Sequence, residues 1–158
     1  MVKRTARLGG SARGFTLIEL LIVMAFVGVL TSIAVPLYVN VQSRARIAKA
    51  HADVRTIATA TSLYSVHCGA YPDNGSTASD CPTASGQTGT LPSVLTLVQT
   101  NAQNQVAGPF LSTPPLLPNG WTGAGISYKY ATATPDAFLI CASGDGTAAD
   151  SNGGTTCP

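Results

Sequence analysis

Three groups of residues in this sequence have the types and spacing to do chemistry. The first is "GFTLIEL", where Gly14 precedes Phe15 and a single carboxylate, Glu19, stands four residues past Phe15. No other residue from Phe15 to Val35 is charged. A carboxylate near one end of so apolar a run costs a few kcal/mol unless it reaches water or a partner, which makes Glu19 a candidate functional group. The plainer reading is a carboxylate resting at headgroup depth. The second group is four cysteines, Cys68, Cys81, Cys141 and Cys157, an even number suited to two disulfides. Zinc is disfavoured, because there is no CxxC pair and His51 and His67 have no second spaced pair of ligands. The third is Asp145, Asp150 and Asn152 in the tail "SGDGTAADSNGGTTCP", oxygen donors of the kind calcium takes. Their spacing matches no EF-hand loop, and Asp and Asn are also ordinary turn residues. GxSxG, the P-loop and HExxH are all missing from the sequence, so no enzymatic activity is expected.

Length and apolarity position the first group. The 21 residues from Phe15 to Val35 make a helix of roughly 31 Å, enough to cross a bilayer core. Lys3, Arg4, Arg7 and Arg13 precede it, which predicts a cytoplasmic N-terminus and places everything after Pro36 beyond the inner membrane. The cysteines all fall in that outer part, where an oxidising compartment favours disulfides. Of three possible connectivities, Cys68 with Cys81 and Cys141 with Cys157 is preferred. Each closes a short loop rich in Gly, Ser, Thr and Asp that has little core of its own. The chain has a formal net charge of +2, and removal of residues 1–14, which hold four of its nine basic residues and no acid, makes it −2. A general polyanion-binding face and specific nucleic-acid recognition are therefore not indicated.

An ordinary signal peptide carries its small residues and cleavage site after the apolar region, whereas here the small residue comes first. Cutting after Gly14 removes a basic leader, 1–14, and leaves the hydrophobic helix with a free amine at its tip. On these residues "GFTLIELLIV" resembles the processing site of type IV prepilins and type II secretion pseudopilins, specifically from Arg13 to about Tyr38 and diffusely beyond. The resemblance implies cleavage between Gly14 and Phe15 by a membrane prepilin peptidase and N-methylation of Phe15. It also implies assembly of identical subunits into a helical filament, by an inner-membrane platform and through an outer-membrane secretin. The leader is longer than the shortest in the family. A partner for Glu19 follows too: the α-amino group of Phe15 on a neighbouring subunit, largely protonated at neutral pH. A buried pair is tolerable where a lone charge is not, so Glu19 would set the axial register of incoming subunits.

Beyond the membrane segment, 15–36, the remaining 37–158 reads as one outer domain. No Gly or Pro interrupts Leu37 to His67. Leu37, Val41, Ala45, Ala48, Ala52, Ile57, Ala60 and Tyr64 suggest an inner face, with Arg44, Arg46, Lys49, Asp53 and Arg55 on the wetter side. One helix is thus expected from Phe15 to about His67, broken at Pro36, where the ring removes a hydrogen bond and clashes with the preceding turn. From Cys68 the chain turns to loop, followed by a predicted short amphipathic helix in "LPSVLTLVQTNAQ" with Pro92 in its first turn and Leu95 and Val98 facing inward. A proline-rich crossing, "GPFLSTPPLLPNGW", has Phe110, Leu111 and Trp121 as anchors. "GISYKYATA" and "AFLICASG" alternate as an antiparallel hairpin, around Thr134, Pro135 and Asp136, with Ile126, Tyr128, Tyr130, Phe138 and Ile140 on the inner face. The predicted fold is α+β: a long N-terminal helix packed on a small antiparallel sheet, the type IV pilin fold in the family it resembles.

Two functional readings stand above a simple membrane anchor, which explains neither Gly14 nor Glu19. One is a structural subunit of an extracellular type IV pilus serving adhesion, motility or DNA uptake. It is held in the inner membrane before assembly. The other is a major pseudopilin of a type II secretion system, whose short periplasmic filament drives export. The second disulfide and the Ser/Thr-rich loops favour the pilus; the compact length and the Asp/Gly tail, which resembles a pseudopilin calcium loop, favour the alternative.

Overall fold

In a computed structural model of the chain, the residues described are 14–121, 127–134, 137–154 and 157. The leader residues 1–13, Ile126 and the Pro135–Asp136 turn lie outside them. The chain divides into two compact units, Met1–Asn40 and Val41–Pro158. One helix, α1 (Leu17–Cys68), contributes to both.

In the first unit every described residue is exposed, among them Phe15, Leu17, Ile18, Phe26, Leu30 and Ile33. Helical structure continues without interruption through Pro36, so the expected break is absent. Proline removes a single donor, and one missing bond does not end a helix whose turns are formed on both sides. Just upstream, the Thr31 hydroxyl bonds back to the Val27 and Gly28 carbonyls and Ser32 to that of Val29, keeping their side chains within the helix's own bonding.

In the second unit the later half of α1 packs on a sheet. Its buried face is Ala50, Val54, Ile57, Ala60, Thr61 and Tyr64, spaced three and four apart. Ala45, Ala48 and Ala52, expected inside, are exposed. The sequence pattern admitted a five-residue step from Ala52 to Ile57, which is not a helical neighbour, and alanine fits either side of a helix equally well. The sheet has four strands in the order β1 (Thr88–Thr90), β4 (Lys129–Thr134), β5 (Ala137–Gly144), β6 (Thr147–Asp150), all antiparallel. Tyr128, Tyr130, Ile140, Ala142 and Ala149 meet the helix in one core with Val94, Leu95 and Leu111. The alternation read from the sequence holds for Tyr128 and Tyr130, which are fully buried, against exposed Ser127 and Lys129.

The predicted short helix is instead a single 3₁₀ turn, Ser93–Thr96, which leads into β2 (Gln99–Thr100), paired with β3 (Val106–Ala107). Val94 and Leu95 are buried there while Val98 is 47% exposed. Gln99 decides this. It is fully buried, its amide donates to the Ala78 and Val94 carbonyls, and its oxygen accepts from Cys81 N at 3.0 Å. A helix here would withdraw that side chain and leave the Cys81 N–H and the Ala78 carbonyl without this partner.

Three core tyrosines anchor loops and helix to the sheet. Tyr64 Oη donates to the Pro82 carbonyl at 2.8 Å, Tyr130 to that of Pro72 at 3.0 Å, and Tyr128 to Asp53 Oδ2 at 2.7 Å. Burial is the main force raising all three phenols above the ordinary value of 10.0; nearby Asp80 and Asp73 add to it for Tyr64, and Asp53 for Tyr128. Because the folded values exceed the unfolded one, this contribution is fully present below about pH 10 and is lost as pH rises beyond it. The denaturant midpoint of the detergent-solubilised chain should thus be flat to about pH 9 and fall steeply above about pH 10. A midpoint unchanged through strong alkali would contradict this packing.

Candidate functional site

The start of α1 is built by a reciprocal pair. Thr16 precedes the first helical residue, and its backbone N and hydroxyl both donate to Glu19 Oε2, at 3.0 and 2.9 Å. The Thr16 hydroxyl oxygen in turn accepts from Glu19 N at 3.3 Å. This is a capping box, S/T-x-x-E, in which two otherwise orphaned donors at a helix start are satisfied. The spacing was present in "TLIE" and is a signal for this local role that the apolar context of Glu19 obscured. Only Oε2 is engaged. Glu19 Oε1 makes no hydrogen bond among the described residues, and the side chain is exposed, so the capped carboxylate still presents an acceptor outward. Phe15, 79% exposed, lies immediately before the cap.

Among the described residues nothing requires glycine at position 14. A Cβ there would meet nothing within 4 Å, and its φ is not in the left-handed region.

The cysteines pair as Cys68–Cys81 and Cys141–Cys157, with sequence separations of 13 and 16. Loop closures of that size restrict the unfolded chain by roughly 3 kcal/mol each. The first joins the last residue of α1 to the 70–87 loop, the second the β5 strand to the C-terminal segment. His67 lies close to Cys68 and Cys81, but both sulfurs are consumed by the disulfide and offer no metal ligand. His67 Nε2 instead sits 3.3 Å from the Gln99 carbonyl. His51 is half-buried on α1.

The three tail residues are separated. Asp145 and Gly146 form a two-residue turn with φ of 52° and 73° between Gly144 and Thr147, a type I′ hairpin of the Asp-Gly kind. Asp145 Oδ2 is paired with Arg46 Nε at 2.8 Å, which ties the turn to α1. Asp150 stands at the other end of β6, about 10 Å along the hairpin at some 3.3 Å per residue. Its Oδ1 accepts from Asn152 N at 2.8 Å and Gly154 N at 2.7 Å. Asp145 and Asp150 thus stand at opposite ends of β6. Trp121 lies against β5: a Cβ on Gly144 would fall 1.4 Å from its Nε1, so only glycine admits the indole there.

Comparison with known proteins concerns the N-terminal third. The family model for the prokaryotic N-terminal methylation motif matches residues 10–35. The chain is 40% identical over 57 residues to the type IV major pilin protein PilA of Myxococcus xanthus, covering 36% of this chain and 26% of that one. A type IV major pilin protein of Neisseria gonorrhoeae is 38% identical over 66 residues, covering 42% of this chain and 40% of that one. A fimbrial protein of Pseudomonas aeruginosa is 44% identical over 48 residues, 30% of this chain and 31% of that one. The matched stretches thus span well under half the length of these curated relatives. No solved structure matches. The motif is that of prepilin-like proteins, and one long N-terminal apolar helix with a small antiparallel sheet is the arrangement of the type IV pilin fold.

Proposed function

We propose that this chain is the structural subunit of a type IV pilus, which polymerises by packing of α1 between identical copies. The observation that carries the reading is the first unit itself: a predominantly apolar helix, exposed at every described residue from Leu17 to Asn40, headed by a capped carboxylate whose second oxygen has no partner among the described residues. Such a surface is stable only in lipid or among other apolar helices, and a subunit that passes from one to the other uses both. Before assembly the chain is anchored in the inner membrane with the leader in the cytoplasm and the 37–158 domain outside. A prepilin peptidase cuts between Gly14 and Phe15, and Phe15 is N-methylated. The platform and secretin then act on the processed subunit. Similarity to type IV major pilins of two organisms and to a fimbrial protein of a third supports the pilus over the secretion pseudopilus. Electron microscopy of sheared surface fractions, with labelling of this chain, tests the proposal. Long labelled filaments are expected; a chain confined to the periplasm and active only in protein export would sink it.

A further inference from the structure

Three Asn-Gly pairs occur in the described chain, at Asn74, Asn119 and Asn152, and the structure treats them differently. Conversion of asparagine through a succinimide requires the backbone nitrogen of the next residue to lose its proton and reach the side-chain carbonyl carbon, so a tied-down N–H or a pinned side chain slows it. At the first pair, Gly75 N–H is held by Asp73 Oδ1 at 2.8 Å, and Asn74 N by Gln87 Oε1 at 2.8 Å. Gln87 Nε2 in turn bonds Asp73, which closes the loop on itself. At the third, the attacking Gly153 N–H is not held among the described residues, but the side chain is: Asn152 Oδ1 accepts from the Ser151 hydroxyl at 3.3 Å, and the flanking Asn152 N and Gly154 N are bound by Asp150 Oδ1.

Among the described residues Asn119 has neither a held N–H on the following glycine nor a pinned side chain. It and Gly120 are the central residues of a turn closed by Trp121 N to the Pro118 carbonyl at 3.1 Å, with Gly120 at φ +77°, the geometry of a type II turn. Both residues are exposed, and Gly120 N–H makes no hydrogen bond among the described residues. A cation stands beside them: Arg46 Nη1 is 3.7 Å from the place a Cβ on Gly120 would take, and Arg46 and Asn119 line the same open groove. A nearby positive charge favours the deprotonated amide and the oxyanion that forms during ring closure.

We propose that Asn119–Gly120 is a self-modifying site, which converts spontaneously to aspartate and isoaspartate with Arg46 as its electrostatic promoter. Gly120 N gives its proton to hydroxide and attacks Asn119 Cγ. The new N–C bond closes a five-membered imide, the Cγ–Nδ2 bond breaks, and ammonia leaves with a proton from solvent. Water then opens the imide at either carbonyl. The balance is one water in and one ammonia out, with no oxidant or reductant. Each event adds a negative charge to the groove that Arg46 and Lys49 line, where it competes with Asp145 for Arg46.

The test uses the full chain in detergent micelles, incubated for weeks in mildly alkaline buffer and mapped by peptide mass spectrometry that separates aspartyl from isoaspartyl products. Asn119 should convert several-fold faster than Asn74 or Asn152, in proportion to hydroxide. Arg46→Gln should slow it several-fold without changing Asn152. Asp145→Gly breaks the same ion pair, suits the positive φ of that turn and keeps the cation, and should not slow it. A faster Asn74 or Asn152 overturns the assignment of the site. Equal effects of Arg46→Gln and Asp145→Gly on Asn119 overturn the role of Arg46.

Discussion

Cells carrying Glu19→Val or Glu19→Gln in place of the wild-type chain are expected to hold processed subunits in the membrane and to build almost no filaments. Neither substitution hinders insertion, since both lessen the cost of residue 19 in lipid. The loss arises at assembly, where the protonated amine of an incoming Phe15 enters an apolar bundle. Without its carboxylate that amine is an unpaired buried charge, at roughly 3 to 5 kcal/mol. At about 1.4 kcal/mol per decade this lowers the assembly equilibrium about 100- to 5,000-fold. The capping box makes the two variants informative in different ways. Glutamine also serves at that place of the box, so Glu19→Gln keeps the helix start and removes only the charge, whereas valine removes both. Quantitative immunoblots of sheared and membrane fractions decide it. If Glu19→Gln builds filaments like wild type while Glu19→Val does not, the carboxylate matters as a cap and the intersubunit pair is wrong. If both assemble normally, neither role stands.

Replacing Gly14 by leucine or phenylalanine should be equally severe at an earlier step. The structure gives a side chain at this position open space, so folding and stability of the chain should not change. A peptidase that closes around the backbone at the membrane face has no such room. The expected outcome is an uncut precursor in the inner membrane with no Phe15 amine, and hence no filament. In wild-type filaments, intact mass should place the first residue at a methylated Phe15. Filaments of normal abundance from Gly14→Leu, or Met1 retained in wild-type filaments, would refute processing at this bond.

Much of the fold follows from local pattern. The apolar run from Phe15 was bound to be a helix, because a segment that leaves water must satisfy its backbone internally. Tyr128 and Tyr130 against Ser127 and Lys129 marked a half-buried strand, since successive strand residues point to opposite faces. The Asp-Gly turn and the T-x-x-E cap were equally local, yet the interest of the same residues as metal ligands and as a membrane charge hid them. Less legible was the inner face of α1, where alanine on either side made the phase ambiguous until Ile57 and Tyr64 fixed it.

The sequence by itself determined the long N-terminal helix, the β4–β5 hairpin and the proximity in sequence of the cysteines that pair. These depend on neighbours within a few residues, so their physics is written in spacing. Only the tertiary structure decided which partner each polar group takes. Asp145 answers to Arg46, 99 positions away, Tyr128 to Asp53, 75 away, and Gln99 to the loop of Cys81. Burial forces such groups to find partners. Which of many distant candidates is within 3 Å depends on how the later half of α1 lies on the sheet, and no periodicity along the chain records that.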